Sequence, residues 1–294
     1  MKRRDFIRTS AAAIAAAYIP FSGAANIPAE IACMSRTGNI IGLKRSDVAD
    51  LAKSLQRKLL LKSTPHYHQE RTIWNGLSDD KLPALIAQCI DSDDVISAVN
   101  FARNHDLLVT VRGGGHGISG KAVENDTLLI DLSKMSNLSA DPATMTATAQ
   151  AGVLLRELDV GAQAHGLVVP AGVVSHTGVA GLTLGGGIGI NMRKMGLTSD
   201  NLLSVQIVTA DGKLRTASDT ENTDLFWAVR GGGGNFGIVT LFTYRMHKLD
   251  PEILSGVMVY AMDDAKEMYN RYFDYSLEAP RELNMSAAMS MSPT

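Results

Sequence analysis

The stretch Val109-Thr110-Val111-Arg112-Gly113-Gly114-Gly115-His116-Gly117-Ile118-Ser119-Gly120 decides how the rest of the chain is read. A β-rich run enters a segment that gives up nearly all its side chains and keeps one imidazole among the glycines. A plain turn needs one or two glycines, because glycine alone enters positive φ freely. A run of three points to a backbone that something approaches closely. His116 then packs, binds a metal or reacts.

Three glycine clusters occur: Gly113 to Gly120, Gly178 to Gly189, and Gly231 to Gly237. Gly115-x-Gly117-x-x-Gly120 and Gly232-x-Gly234-x-x-Gly237 both spell the dinucleotide fingerprint G-x-G-x-x-G. Both lack its context, in which the glycines open a helix whose N-terminus meets a pyrophosphate. The first is followed by polar residues and a strand at Thr127; the second runs straight into Ile238-Val239-Thr240-Leu241-Phe242. No Gly-Lys-Ser/Thr follows either, which excludes a P-loop. What remains is a set of backbone nests between strands, where successive N–H groups form a concave anion site without a helix. Three of them imply a large phosphate-bearing ligand laid along several strand ends, with Arg112 in reach for a charge-assisted bond.

The composition agrees. The chain has 294 residues, enough for a sizeable core and more than one domain. Aromatic residues are scarce at 5%, while 27 glycines are many, which suits a cofactor-binding α/β chain better than an aromatic interaction module. A formal net charge of −2 gives no basic footprint and excludes nucleic acid as the expected partner. Cys33 and Cys89 lie far apart, so no disulfide framework is expected. Lys2-Arg3-Arg4-Asp5-Phe6-Ile7-Arg8, the apolar run Ala11 to Phe21 and Ser22-Gly23-Ala24-Ala25 read as a signal peptide, with the Arg3-Arg4 pair of a twin-arginine leader. Residues 1–32 are therefore assigned to a leader and linker, and export to the periplasm or the medium is expected.

Periodicity predicts a helix over Ser46 to Leu61, a strand over Leu85 to Ile90, a helix over Asp93 to Asn104 and a strand over Leu107 to Val111. Strands follow at Thr127 to Leu132 and Met145 to Ala151, then a helix over Val153 to Gly166. Leu203 to Ala210 and Lys213 to Ala217 form a hairpin around Asp211-Gly212, ahead of a helix at Thr223 to Arg230 and an extended run from Phe236 to Leu249. Beyond Pro251 come strands at Val257 to Ala261 and Leu283 to Met291 with a helix between them. His66-x-His68 lies in an irregular loop without further ligands nearby, and no metal is expected.

Read together, Val111 to Gly117, Val169-Pro170-Ala171-Gly172-Val173-Val174-Ser175-His176-Thr177-Gly178 continuing to Gly189, Gly196 to Leu203, and Asp224 to Val239 form an ordered series. In this order it resembles the FAD-linked oxidoreductases of the vanillyl-alcohol oxidase / p-cresol methylhydroxylase (PCMH) superfamily, berberine-bridge-enzyme-like branch, and among them proteins of the 6-hydroxynicotine oxidase type. The resemblance implies an α+β fold. A two-subdomain FAD-binding domain over 67–249 would follow an N-terminal helix and linker (33–66), and an antiparallel-sheet substrate domain would begin at 250–294.

The resemblance also implies residue roles. His116 would be joined through a ring nitrogen to the 8α carbon of the flavin, as a neutral imidazole is a competent nucleophile. Arg112, Gly113, Gly114, Gly115, Gly117 and Ser119 would cradle the pyrophosphate. Asp131, Ser133, Pro170, Ala171, Gly172, Ser175, Gly178 and Gly181 would line the adenosine and pyrophosphate channel. Gly185, Ile188, Gly189 and Asn201 would lie near the ribityl chain, and Gly237, Ile238 and Val239 near the adenine or the flavin edge. Val174 stands where some relatives carry a second, cysteinyl link, so a single link is expected. Leu182 replaces a histidine of plant relatives, and Thr177 occupies the position that influences oxygen access.

The implied activity is hydride transfer from an alcohol, sugar or amine C–H to the flavin, with oxygen or another acceptor reoxidising it. The substrate is a small molecule whose pocket and catalytic base come largely from a region that family members carry beyond this chain's end. A non-catalytic flavin-binding fragment, or the flavin half of a two-chain enzyme, is the rival reading. A third is an enzyme like UDP-N-acetylenolpyruvoylglucosamine reductase, without the histidyl link and with NADPH.

Overall fold

A computed structural model describes residues 27–290. Two sheets carry the body. The first is four-stranded in the order β3-β4-β6-β5, built from Leu59–Leu61 (β3), Leu85–Gln88 (β4), Val109–Arg112 (β5) and Leu128–Asp131 (β6). β3 pairs antiparallel to β4, and β4 and β5 flank β6 in parallel. Every residue of β3, β4 and β6 is buried, which explains their continuous apolar runs: a strand covered on both faces has no reason to alternate. The crossover from β4 to β5 is a helix, Ser92–Asn104, whose N-cap Asp91 accepts from the N–H groups of Asp93 and Asp94, both at 3.0 Å.

The second sheet is antiparallel and five-stranded, in the order β11-β10-β12-β8-β7. Its members are Leu138–Asp141 (β7), Thr146–Gln150 (β8), Leu202–Val208 (β10), Leu214–Ser218 (β11) and Ile238–Arg245 (β12). A two-stranded ribbon pairs Leu167–Val168 (β9) with His247–Lys248 (β13), and another pairs Glu30–Met34 (β1) with Ile40–Lys44 (β2). One continuous apolar core joins the two large sheets, with Leu85, Leu128 and Ile130 from one and Val205, Ile207 and Phe242 from the other. Tyr244, fully buried in β12, shares a 2.8 Å hydroxyl hydrogen bond with Thr183 on the short helix Val179–Leu184, fixing that helix over the second sheet.

Several expectations are corrected. The helix begun at residue 45 stops at Ser54, and Leu59 to Leu61 peel away as β3, because three consecutive leucines all find burial on the sheet. The segment expected as leader and linker, 1–32, reaches into folded structure: Ile27 is buried, and β1 begins at Glu30, with Cys33 wholly buried in it. Residues 33–66 therefore contribute a hairpin and an edge strand as well as a helix. The rest of the expected leader, residues 1–26, lies outside the described residues. Cys33 and Cys89 are both free thiols, and burial pushes the Cys33 thiol up to about 12. The strands expected at 257–261 and 283–291 do not form among the described residues, since no neighbouring strand offers them hydrogen bonds. The helix between them forms as Ala265–Glu278. No described helix is long and apolar enough to cross a membrane.

Candidate functional site: a flavin-nucleotide cleft

β5 and β6 end side by side, and their register places Arg112 opposite Asp131. Asp131 has no exposed surface and Arg112 is buried. The guanidinium donates from Nε to Asp131 Oδ1 at 3.0 Å and from Nη2 to Oδ2 at 2.7 Å, a bidentate pair, and from Nη1 to the Thr72 carbonyl at 3.1 Å. The Ser133 N–H donates to Asp131 Oδ1 as well, at 3.0 Å. The side chains of Arg112 and Asp131 thus do not reach out to a phosphate. They latch the two strand ends from which the glycine loop and the 132–136 turn depart.

From that latch the loop crosses the second glycine cluster backbone on backbone. A Cβ on Gly114 would stand 2.4 Å from Gly178 Cα and N, and one on Gly178 would stand 2.5 Å from Gly114 N. No side chain fits at either position. The second cluster folds on itself in the same way: a Cβ on Gly189 would fall 1.6 Å from the Ala171 carbonyl oxygen. The helix Val179–Leu184 then packs against the turn Gly233–Phe236 of the third cluster. The second segment thus joins the other two, meeting the third along its helix and the first at the Gly114–Gly178 crossing.

A cleft of about 380 Å³ opens there, lined by Thr72, Arg112, Gly113, Gly114, Ser133, Ser136, Gly152, Leu154, Glu157 and His176. Glu157 turns its carboxylate inward, where Oε2 accepts from the Leu154 N–H at 2.7 Å. Gly117 and Gly181 border open space, since a Cβ at either would meet nothing within 4 Å. Ser119, Ser175 and Gly185 are exposed, as is Ile188, which joins Ile118, Val173, Val174 and Ile190 among the exposed apolar side chains of the glycine segments.

His116 stands at the end of the loop. Its ring stacks on Trp74 at 4.5 Å and 19°, and it meets the tilted ring of His176 at 4.8 Å. Its Nε2 is buried with no hydrogen-bond partner. A buried, unsatisfied polar atom costs free energy and calls for a ligand or a bond not otherwise supplied.

Other expected contacts are placed elsewhere. The Asn201 side chain is fully committed: Nδ2 donates to the Met195 and Leu197 carbonyls, both at 2.9 Å, and Oδ1 accepts from His247 Nε2 at 2.6 Å. It ties the 195–201 turn to β13 and has no group left for a ribityl chain. Ile238 and Val239 are buried in β12, so their side chains belong to the core, with Gly237 wedged against the Val208 carbonyl. Pro170 is buried too. Thr72, Ser136, Gly152 and His176 are cleft residues that sequence reasoning did not single out. Only His176 carried a signal, its place inside the middle glycine motif.

Two large mixed layers with converging glycine loops, a cleft rich in backbone and hydroxyl groups, and a buried unpartnered imidazole define a binder of a phosphate-bearing aromatic cofactor. Residues 83–218 match the family described as FAD binding domain. The chain is 40% identical over 228 residues to the FAD-linked oxidoreductase pgmH of Aspergillus terreus, covering 76% of this chain and 46% of that protein. It matches the structure of 6-hydroxy-D-nicotine oxidase from Arthrobacter nicotinovorans with a TM-score of 0.72 and 32% identity, over 76% of this chain and 50% of that one. It matches Physcomitrella patens BBE-like 1 with a TM-score of 0.65 and 33% identity, over 69% and 44% of the two chains. The chain belongs to the FAD-linked oxidoreductases with a PCMH-type FAD-binding domain, in the berberine-bridge-enzyme-like group. It spans about half the length of the relatives it matches.

Proposed function

We propose that this chain is the flavin-holding part of an exported FAD-dependent oxidoreductase, with the flavin joined through a single bond to His116. The observation that carries the reading is His116 Nε2, buried and without a partner at the end of a glycine loop whose next residue, Gly117, faces open space. FAD, when bound, supplies the capacity to accept hydride from an alcohol, sugar or amine C–H bond and to return the electrons to oxygen or another acceptor.

The chain's residues supply binding and position. Backbone groups at Gly113 and Gly114, with the Ser133 and Ser136 hydroxyls, offer donors for a pyrophosphate in the cleft. The Arg112–Asp131 latch keeps those donors in place from behind. Ile118, Val174 and Ile188, exposed on the glycine segments, are apolar surface that an aromatic ring system could cover. Export rests on the Arg3-Arg4 leader pattern.

The test is colour after denaturation. Acid-precipitated protein is expected to remain yellow, with a mass raised by one FAD; His116→Ala should release all its flavin to the supernatant. A colourless wild-type pellet would falsify the link.

A second reading, the flavin half of a two-chain enzyme or a non-catalytic flavin binder, is favoured by a specific surface. Ile253, Leu254, Val257, Met258 and Val259 are each at least 66% exposed, and Phe273 and Leu277 on the helix Ala265–Glu278 are exposed as well. So many exposed apolar side chains in residues 253–277 support an interface. On this reading a small-molecule substrate reduces the bound flavin only after a partner polypeptide is added.

A further inference from the structure

Trp74 is one of two tryptophans in the chain and is 55% exposed, yet its ring is not loose. It lies flat on His116, and the His176 ring, tilted by 39°, stands 4.8 Å from the same imidazole. The backbones that carry both neighbours are stitched down. The Trp74 N–H donates to the Gly115 carbonyl at 3.0 Å, and Asn75 Nδ2 donates to the Ile118 carbonyl at 2.6 Å, so residues 74 and 75 bracket the histidine from the two ends of its loop. Residue 72 is held by Arg112. On the other side, the Ser175 and Thr177 carbonyls accept from the Arg156 and Leu155 N–H groups at 3.0 and 2.9 Å, which fixes the loop that carries His176.

We infer that Trp74 and His176 are positioning residues for His116: one stacked and one tilted against its ring, they clamp it and so set the direction of its unpartnered nitrogen before the flavin arrives. The inference rests on the proposed histidyl link. Forming that link joins an imidazole nitrogen to the flavin's 8α methyl carbon. One N–H and one C–H bond are lost, and the two protons and two electrons pass to dioxygen as hydrogen peroxide. Such a bond forms only when nitrogen and carbon meet in line at near-contact distance, and a freely turning imidazole rarely offers that geometry.

The experiment mixes flavin-free chain with saturating FAD in air and follows the covalent fraction by mass after acid quenching. Non-covalent binding is read separately from flavin fluorescence, and folding from thermal melting. Trp74→Ala is expected to bind FAD as the wild type does, and His176→Ala, which also lines the cleft, to bind it more weakly but still to saturation; both should attach it at least about tenfold more slowly at saturating FAD. Trp74→Phe and His176→Phe, which keep a ring in each place, should attach it within about threefold of the wild-type rate. Alanine variants that attach at the wild-type rate overturn the clamp. So do phenylalanine variants as slow as the alanines, and alanine variants that lose FAD binding or melt early. If the wild type itself attaches no flavin, the histidyl link is what fails, and the clamp falls with it.

Discussion

Two ends of one loop are built on opposite plans. At its root, Arg112 commits Nε, Nη1 and Nη2 to acceptors, and Asp131 beneath it is sealed from water. At its tip, four residues on, the His116 ring is held by aromatic faces alone, and its buried nitrogen has nothing to bond. The root is closed chemistry and serves the fold. The tip is left open. The difference shows why charge and burial alone do not mark a cofactor contact: Arg112 looks like the anion binder, yet its guanidinium nitrogens are already committed within the fold.

The comparison breaks most visibly at the root. Arg112→Met should leave Asp131 buried without its partner and cost about 3–5 kcal/mol of stability, read from urea unfolding. A loss below about 1 kcal/mol would show that the pair is no latch. Next comes the crossing point. Gly114→Ala drives a methyl into the Gly178 backbone and should cost about 1–3 kcal/mol while weakening FAD binding, measured by melting and by flavin titration. Unchanged binding would mean that the two loops move apart freely. The smallest effect belongs to an intermediate case, His247, which is partnered but only half-buried. Burial, and then the nearby Arg245 charge, hold its pKa below the ordinary histidine value. The neutral ring is thus favoured in the fold. Its contribution is complete above about pH 6.5 and is lost as pH falls from there toward the folded-state value. His247→Gln should flatten that part of the melting-temperature profile, and an unchanged slope would assign the pH dependence elsewhere.

Much of this was legible in the sequence. The strand–helix–strand lead into the glycine loop, and the absence of a helix behind either G-x-G-x-x-G, follow from local pattern alone. The Arg112–Asp131 pair was not legible, because it depends on the parallel register of β5 against β6, which neither segment states by itself. The place of His176 beside His116 depends on the Gly114–Gly178 crossing, a contact between two residues without side chains. The commitment of the Asn201 side chain was not legible either, because it depends on two carbonyls of its own turn and on a histidine of β13 being brought together. The β1–β2 hairpin was hidden by its nearness to a leader-like stretch, although Leu43 and Cys33 alternate with more exposed neighbours as strand residues do.

The Gly114–Gly178 crossing also ties a local ring contact to a long loop. Its two members lie far apart along the chain, and each carries a glycine's large loss of backbone freedom on being fixed. Between them run β8 and the helix Leu155–Gln163, so holding the crossing closed means holding that whole loop closed. The imidazole at residue 116 keeps its second aromatic neighbour only while the loop stays shut.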